Sequence, residues 1–184
     1  MKNHRIVLRT LIALALTLPL AVAGCRARTD RSAGTVLLLV SDFNGLPVAV
    51  SLRGGGPFQI SRVTLRNVAK DPTGTTSELQ TIELRSLEIV YRRRDSGTRV
   101  PPPSVQAIFG QVTVNGTANL TNLPILLSDQ ILSQPLKDLL DFGVDRETGT
   151  AVVVLDVSMT FFGRTLSGDD IATAPATFTL EVRP

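Results

Sequence analysis

From Val153 to Phe161 every second residue is a large apolar one: Val153, Leu155, Val157, Met159 and Phe161. Successive side chains on a strand point to opposite faces, so a spacing of two marks an extended segment with one face in a core. The pattern recurs in Ile108 to Leu120. There Ile108, Val112, Val114, Ala118 and Leu120 take even positions and Gln111, Thr113, Asn115, Thr117 and Asn119 odd ones. It recurs again in Ala176, Phe178, Leu180 and Val182. A chain patterned this way is built mainly from β-strands.

The remaining segments agree. Thr35 to Val40 is a short apolar run that stops at the Asn44-Gly45 turn signal. Pro47 to Leu52 is extended and ends in a Gly-rich stretch. Phe58 to Val68 sets Val63 and Leu65 against Arg62, Thr64 and Arg66. In Leu79 to Arg94 the inward parity changes from Ile82 and Leu84 to Leu87, Ile89 and Tyr91, and a β-bulge near Arg85-Ser86 would keep one inner face. Ser128 to Phe142 is the exception. Ile131, Leu132, Leu136, Leu139 and Leu140 approach helical spacing, Pro135 suits a helix start with Ser133 as a cap, and Gly143 suits a stop, so one or two short helical turns over an open end of the core are expected. Six to eight strands and one short helical segment predict an antiparallel, immunoglobulin-like β-sandwich, with a small barrel as the alternative.

The first 25 residues obey a different rule. Lys2, Arg5 and Arg9 precede the apolar run Leu11 to Ala23, which is too short for a stable span of ~20 residues but fits a secretory signal peptide. The run ends in Val22-Ala23-Gly24-Cys25, and Cys25 is the sole cysteine. These four residues resemble the lipobox of bacterial lipoproteins. The resemblance implies cleavage between Gly24 and Cys25, a diacylglycerol on the Cys25 thiol, and stable anchoring once two or three acyl chains are attached. Arg26 in place of an acidic residue implies the outer membrane where the host has two membranes. The expected organisation is a helical signal peptide at 1–24, a lipidated cysteine and polar tether at 25–34, and one sandwich domain at 35–184.

Removing the leader changes the charge. Three of the 19 Lys and Arg and the single His4 leave with it, so the 16 remaining cations balance all 16 Asp and Glu. Nucleic-acid binding loses its electrostatic support, and no nucleic-acid partner is expected. No His or Cys is left for a nucleophilic triad or a zinc site. No catalytic residue, metal ligand or cofactor is therefore expected.

Several motifs still invite a functional reading. Asp169-Asp170 is the nearest approach to a carboxylate pair, but neighbours on a strand point apart, so a hairpin turn is expected. Asp141, Asp145 and Glu147 could offer oxygens to a cation, yet their spacing is not that of an EF-hand; a helix end running into a polar turn is expected. Arg92-Arg93-Arg94, with Arg92 and Arg94 facing one way on a strand and Arg93 the other, could meet lipid head groups or an anionic glycan, but Glu83, Glu88 and Asp95 lie near and can pair with it, and a solvated strand end is expected. Arg53 to Gly56 lacks the residues of a phosphate loop. Asn115 and Asn119 begin sequons that read as turn and strand residues. Val100 to Pro103 reads as a stiff connection, and with Tyr91 the one tyrosine and no tryptophan, aromatic binding platforms are scarce.

The segments YRRRD, VPPP and FFGRTLSGDD are similar to those of uncharacterised bacterial lipoproteins with an immunoglobulin-like domain, over about residues 80 to 184. That resemblance implies no residue-level activity. The expected protein is a non-enzymatic, lipid-anchored envelope component that contacts the membrane through Cys25 and docks on an envelope protein. A binding module for a glycan or small apolar ligand is the alternative.

Overall fold

The computed structural model describes residues 34–46, 49–54 and 58–184. The leader, Gly24, Cys25 and nearly all of the tether lie outside the described residues. The described chain is mainly β, in nine strands: β1 (Val36–Asn44), β2 (Ala49–Ser51), β3 (Phe58–Ala69), β4 (Ile82–Arg93), β5 (Ser104–Val112), β6 (Thr117–Leu126), β7 (Val153–Thr165), β8 (Asp170–Ala172) and β9 (Ala176–Arg183). Between β6 and β7 lie two short helices, α1 (Ser128–Ile131) and α2 (Leu136–Phe142).

The strands form two sheets. One has the order β1-β3-β6; the other runs β2-β9-β7-β4-β5, with β8 continuing the β9 side of β7. One apolar cluster joins them, including Leu38, Ile60, Leu65 and Ile125 from the first sheet and Leu87, Ile89, Met159 and Leu180 from the second. The central strand β7 contributes all five residues that the alternation assigned inward, each fully buried. Tyr91 ties the sheets across the core: its hydroxyl donates to the Ile125 carbonyl at 2.6 Å, and burial pushes the phenol up to about 12.

The bulge expected in β4 is present. Its pairings with β5 and with β7 both slip between Leu84 and Ser86. Ile82, Leu84, Leu87, Ile89 and Tyr91 therefore share one buried face.

Three expectations need correction. The sheets are not wholly antiparallel, because β2 runs parallel to β9. The two short helical turns expected in 128–142 are present, but Ser133 bonds back to the Gln130 carbonyl instead of capping the second. Ile108 to Leu120 is not one strand. It breaks at Thr113–Gly116, and its halves belong to different sheets. The parity survives because the turn occupies an even number of residues, so alternation alone cannot reveal it. Asn115 takes a positive φ of 57° there, and the Gly116 amide donates to the Thr113 carbonyl.

Asn67 fastens that corner. It is fully buried, in line with Val63 and Leu65. Its side-chain amide donates to the carbonyls of Val112 at 3.0 Å and Gln80 at 2.9 Å, and its backbone amide donates to Gly116. The Asn115 side chain accepts from the Ala69 amide. The chain enters the domain at this same end, where the Thr35 carbonyl accepts from the Lys70 amide. The helices occupy the other end, about 40 Å away along the 13 residues of β7.

Candidate functional site

The helical end gathers the connections that follow β4, β6 and α2. Arg93, the last residue of β4, is the hub. Its position continues the inward face of Leu87, Ile89 and Tyr91, so its side chain is only 3% exposed. Nε donates to Asp95 Oδ1 at 2.5 Å and Nη2 to Asp145 Oδ2 at 2.9 Å, while Nη1 reaches the Arg99 carbonyl at 3.3 Å. Gly97 lies against the flat of the guanidinium. A Cβ there would overlap Nη1, Nη2 and Cζ of Arg93, so any larger residue must displace the clamped guanidinium.

The two carboxylates carry the clamp outward. Asp95 also accepts from the amides of Gly97 and Val154. Asp145, with no exposed surface, accepts from the Glu147 amide and the Thr148 hydroxyl. Burial alone would raise both acids, but the Arg93 hydrogen bonds, the backbone amides and, at Asp145, Thr148 outweigh it and hold both below the ordinary carboxylate range. Burial likewise pulls the guanidinium down, and its two acidic partners more than restore it.

Above this clamp opens a cleft of about 470 Å³ lined by Thr98, Arg99, Gln134, Arg146 and Glu147. Glu147 Oε1 accepts from the Thr98 amide and hydroxyl, and Oε2 accepts from the Arg99 amide. Those bonds, the Thr98 hydroxyl first, hold its carboxyl below the ordinary range. Three of its roughly four acceptor positions are committed, which suits a fixed negative wall. The Arg99 guanidinium donates to Gln134 Oε1 at 2.6 Å. Arg146 stacks on Phe142, 5.1 Å from the ring centre. The cleft offers two guanidinium groups and one carboxylate, the chemistry of polar binding.

The motifs singled out in the sequence are scattered. Asp169 and Asp170 form the expected hairpin between β7 and β8; Asp169 accepts from the Ser167 hydroxyl and Asp170 lies 3.7 Å from Arg164. Asp141 pairs with Lys137 on α2, away from Asp145. Gly143 ends α2 in the left-handed region at φ 76°, with its amide bonded to the Leu139 carbonyl. Arg53 and Gly54 sit in a short 3-10 turn, Asn115 in the corner, and Asn119 on β6, where it accepts from Thr64. Pro101 is buried within the connection before β5. Arg92 and Arg94 face one way and Arg93 the other, and Asp95 pairs with Arg93, as expected; the expectation of a solvated strand end is corrected at Arg93, which is the buried hub. Sequence reasoning missed the Arg93–Asp145 pair, 52 residues apart.

No known protein family matches the chain, and no curated protein matches it. Among solved structures, the solution structure of a provisionally assigned late embryogenesis abundant (LEA) protein aligns over 97% of this chain and 87% of that chain, at 13% identity and a TM-score of 0.42. At that TM-score the likeness bears on neither fold nor function. Among the described residues no helix is long and apolar enough to cross a membrane, and no group of three or more His, Cys, Asp or Glu is placed to hold a metal.

Proposed function

We propose that the protein is a lipid-anchored component of a bacterial cell envelope, held through Cys25, whose folded domain binds another envelope component without catalysing a reaction. The observation that carries this reading is the run LAVAGC at 20–25, which follows a basic head and an apolar stretch and stands eleven residues before β1. The mature chain begins at Cys25 and is attached at the corner end of the domain. The polar cleft lies at the end of the domain opposite that attachment. Support for docking there comes from Leu132, Phe142 and Val144, which stand exposed on and after the helices beside Arg99 and Arg146. Where the host has two membranes, Arg26 sends the protein to the outer one.

The domain is read as an immunoglobulin-like sandwich. The strand order supports it: β3 and β6 correspond to strands B and E of one sheet, and β4, β7 and β9 to C, F and G of the other. Tyr91, binding a carbonyl of the opposite sheet, plays a cross-core role but stands on the strand corresponding to C. A glycan or small-ligand module is the second reading, favoured by the same cleft, whose lining is polar and suited to hydroxyl or anionic groups.

Fatty-acid labelling tests the anchor. The wild type takes up label and partitions into membranes, and Cys25→Ala does neither; membrane partitioning of unlabelled wild type overturns the reading. A crosslinked pull-down from membranes then tests docking. One dominant envelope protein, lost in Arg146→Glu, is the expected result, and recovery of free glycan in its place favours the second reading.

A further inference from the structure

The described strand edges are protected unequally. In β6 Pro124 removes a donor from the outer strand of its sheet. In β1 a register slip between Val40 and Asp42, with Asp42 exposed, bends the edge. The edge strands β2 and β8 are three residues each. β5 closes the larger sheet and is nine residues long, VQAIFGQV after Ser104, without a charge or a proline. Its outward residues include Val105, 71% exposed, and Phe109, 87% exposed, the most exposed large apolar side chain described. A slip between the Leu84 and Ser86 pairs of β4 leaves Ile108 and Phe109 out of register with β4, while Ser104 to Ala107 pair regularly; unlike the slip in β1, it carries no charged residue of the strand itself.

We infer that β5 is the edge through which two copies of this chain pair, antiparallel and about a two-fold axis at Ala107. The strand is self-complementary in that register. Phe109 of each copy lies opposite Val105 of the other, an aromatic against a β-branched residue on one face, while Gln106 lies opposite Ile108 on the other. Since β5 has no charge, self-pairing sets no like charges opposite each other. The flanking charges are complementary too. Glu88 pairs with Val105 in β4, and Arg85 stands at the slip beside Phe109. Each outer-face row across the two-fold therefore begins at Glu88 of one copy and ends near Arg85 of the other. The Gln106 amide is already held on the inner face, bonded to the Pro124 carbonyl.

This inference does not rest on the anchor, and the experiment separates the two. The full chain, isolated in mild detergent as its own cells process it, is compared with Ala107→Cys and Arg92→Cys under gentle oxidation. Position 107 meets itself across the axis within disulfide reach. The expected result is a disulfide-linked dimer for Ala107→Cys and none for Arg92→Cys, which lies on the outer face of β4. A disulfide-linked dimer of the wild type reports a free Cys25 thiol and counts against lipidation alone. Sedimentation across a concentration series then shows a dimer that Phe109→Lys and, independently, Val105→Lys weaken by about tenfold or more, with folded circular dichroism retained, while Leu132→Lys has no effect. A wild type that stays monomeric, equal crosslinking at 92 and 107, or a dimer indifferent to both lysines overturns the proposal.

Discussion

The two ends of the domain solve the same problem with different chemistry. At the corner, neutral Asn67 holds β3 to the turn between β5 and β6 and to the Gln80 carbonyl. At the helical end, charged Arg93 holds the connections after β4 and α2 through Asp95 and Asp145. Both residues sit at inward positions of strands whose other inward residues are apolar. The side chain of the neutral clamp works through its amide Nδ2 alone, its Oδ1 being buried without a hydrogen-bond partner. The charged one requires that three desolvated groups stay ionised together, so it depends on pH and fails harder when one member is lost.

Removing the hub separates the two ends most. Arg93→Ala leaves Asp145 buried without its cation and is expected to cost about 3–5 kcal/mol, read by denaturant unfolding. Combining Arg93→Met with Asp145→Leu recovers part of that loss, since the buried cation and its most buried acid leave together, while Asp95 and the Glu147 amide still lose a partner. If the double variant is as unstable as the single one, the pair is not the unit that matters.

At the corner, Asn67→Ala strands the Val112 and Gln80 carbonyls and is expected to cost about 2–3 kcal/mol. Its local signature is faster hydrogen exchange at the Gly116 turn, with the Arg93 end unchanged. A loss as large as that of Arg93→Ala would erase the contrast between neutral and charged clamps.

Gly97→Ala sharpens the comparison without touching a charge. Its methyl collides with the guanidinium, so the expected cost is about 1–3 kcal/mol, with no change at the corner. A neutral outcome would mean that the 94–103 connection lies away from Arg93 in solution.

Much of this fold was legible in the residues, and the rest was hidden for physical reasons. The five inward residues of β7 and the β4 bulge follow from parity, because burial acts on local pattern. The corner at Thr113–Gly116 was hidden because an even turn preserves that pattern while changing sheets. Asn67 stood in line with Val63 and Leu65, and a polar residue at a core position is a signal to seek its partners. Arg93 gave the same signal, continuing Leu87, Ile89 and Tyr91, but its neighbours Arg92 and Arg94 made the run look like a solvated stretch. Asp145 could not be paired with it from sequence, since 52 residues and two helices intervene. The candidate cleft was the least legible feature, because Thr98, Gln134 and Arg146 come from three connections and share no motif.

Acid is the mildest way to part the ends. Asp95 and Asp145 titrate in the folded state below their ordinary value of 3.8. A depressed acid contributes stability that is complete above its unfolded value and is lost as pH falls through the folded one. Arg93 is raised, so its contribution is complete at every pH below its unfolded value and is lost only in strong alkali. The helical end therefore loosens below about pH 4, helped by Glu147, while the Asn67 corner contains no ionisable side chain in its hydrogen bonds. Asp71, in the exposed turn after β3, is also depressed, chiefly by the Thr73 hydroxyl, but it caps only its own turn. Hydrogen exchange corrected for its intrinsic pH dependence reads the outcome. Between neutral pH and the acid window, the amides of Gly97 and Val154, which bond Asp95, are expected to lose protection before the amide of Asn67 does. Simultaneous loss would show that the ends open as one cooperative unit, and that the charged clamp limits the stability of the whole domain in acid.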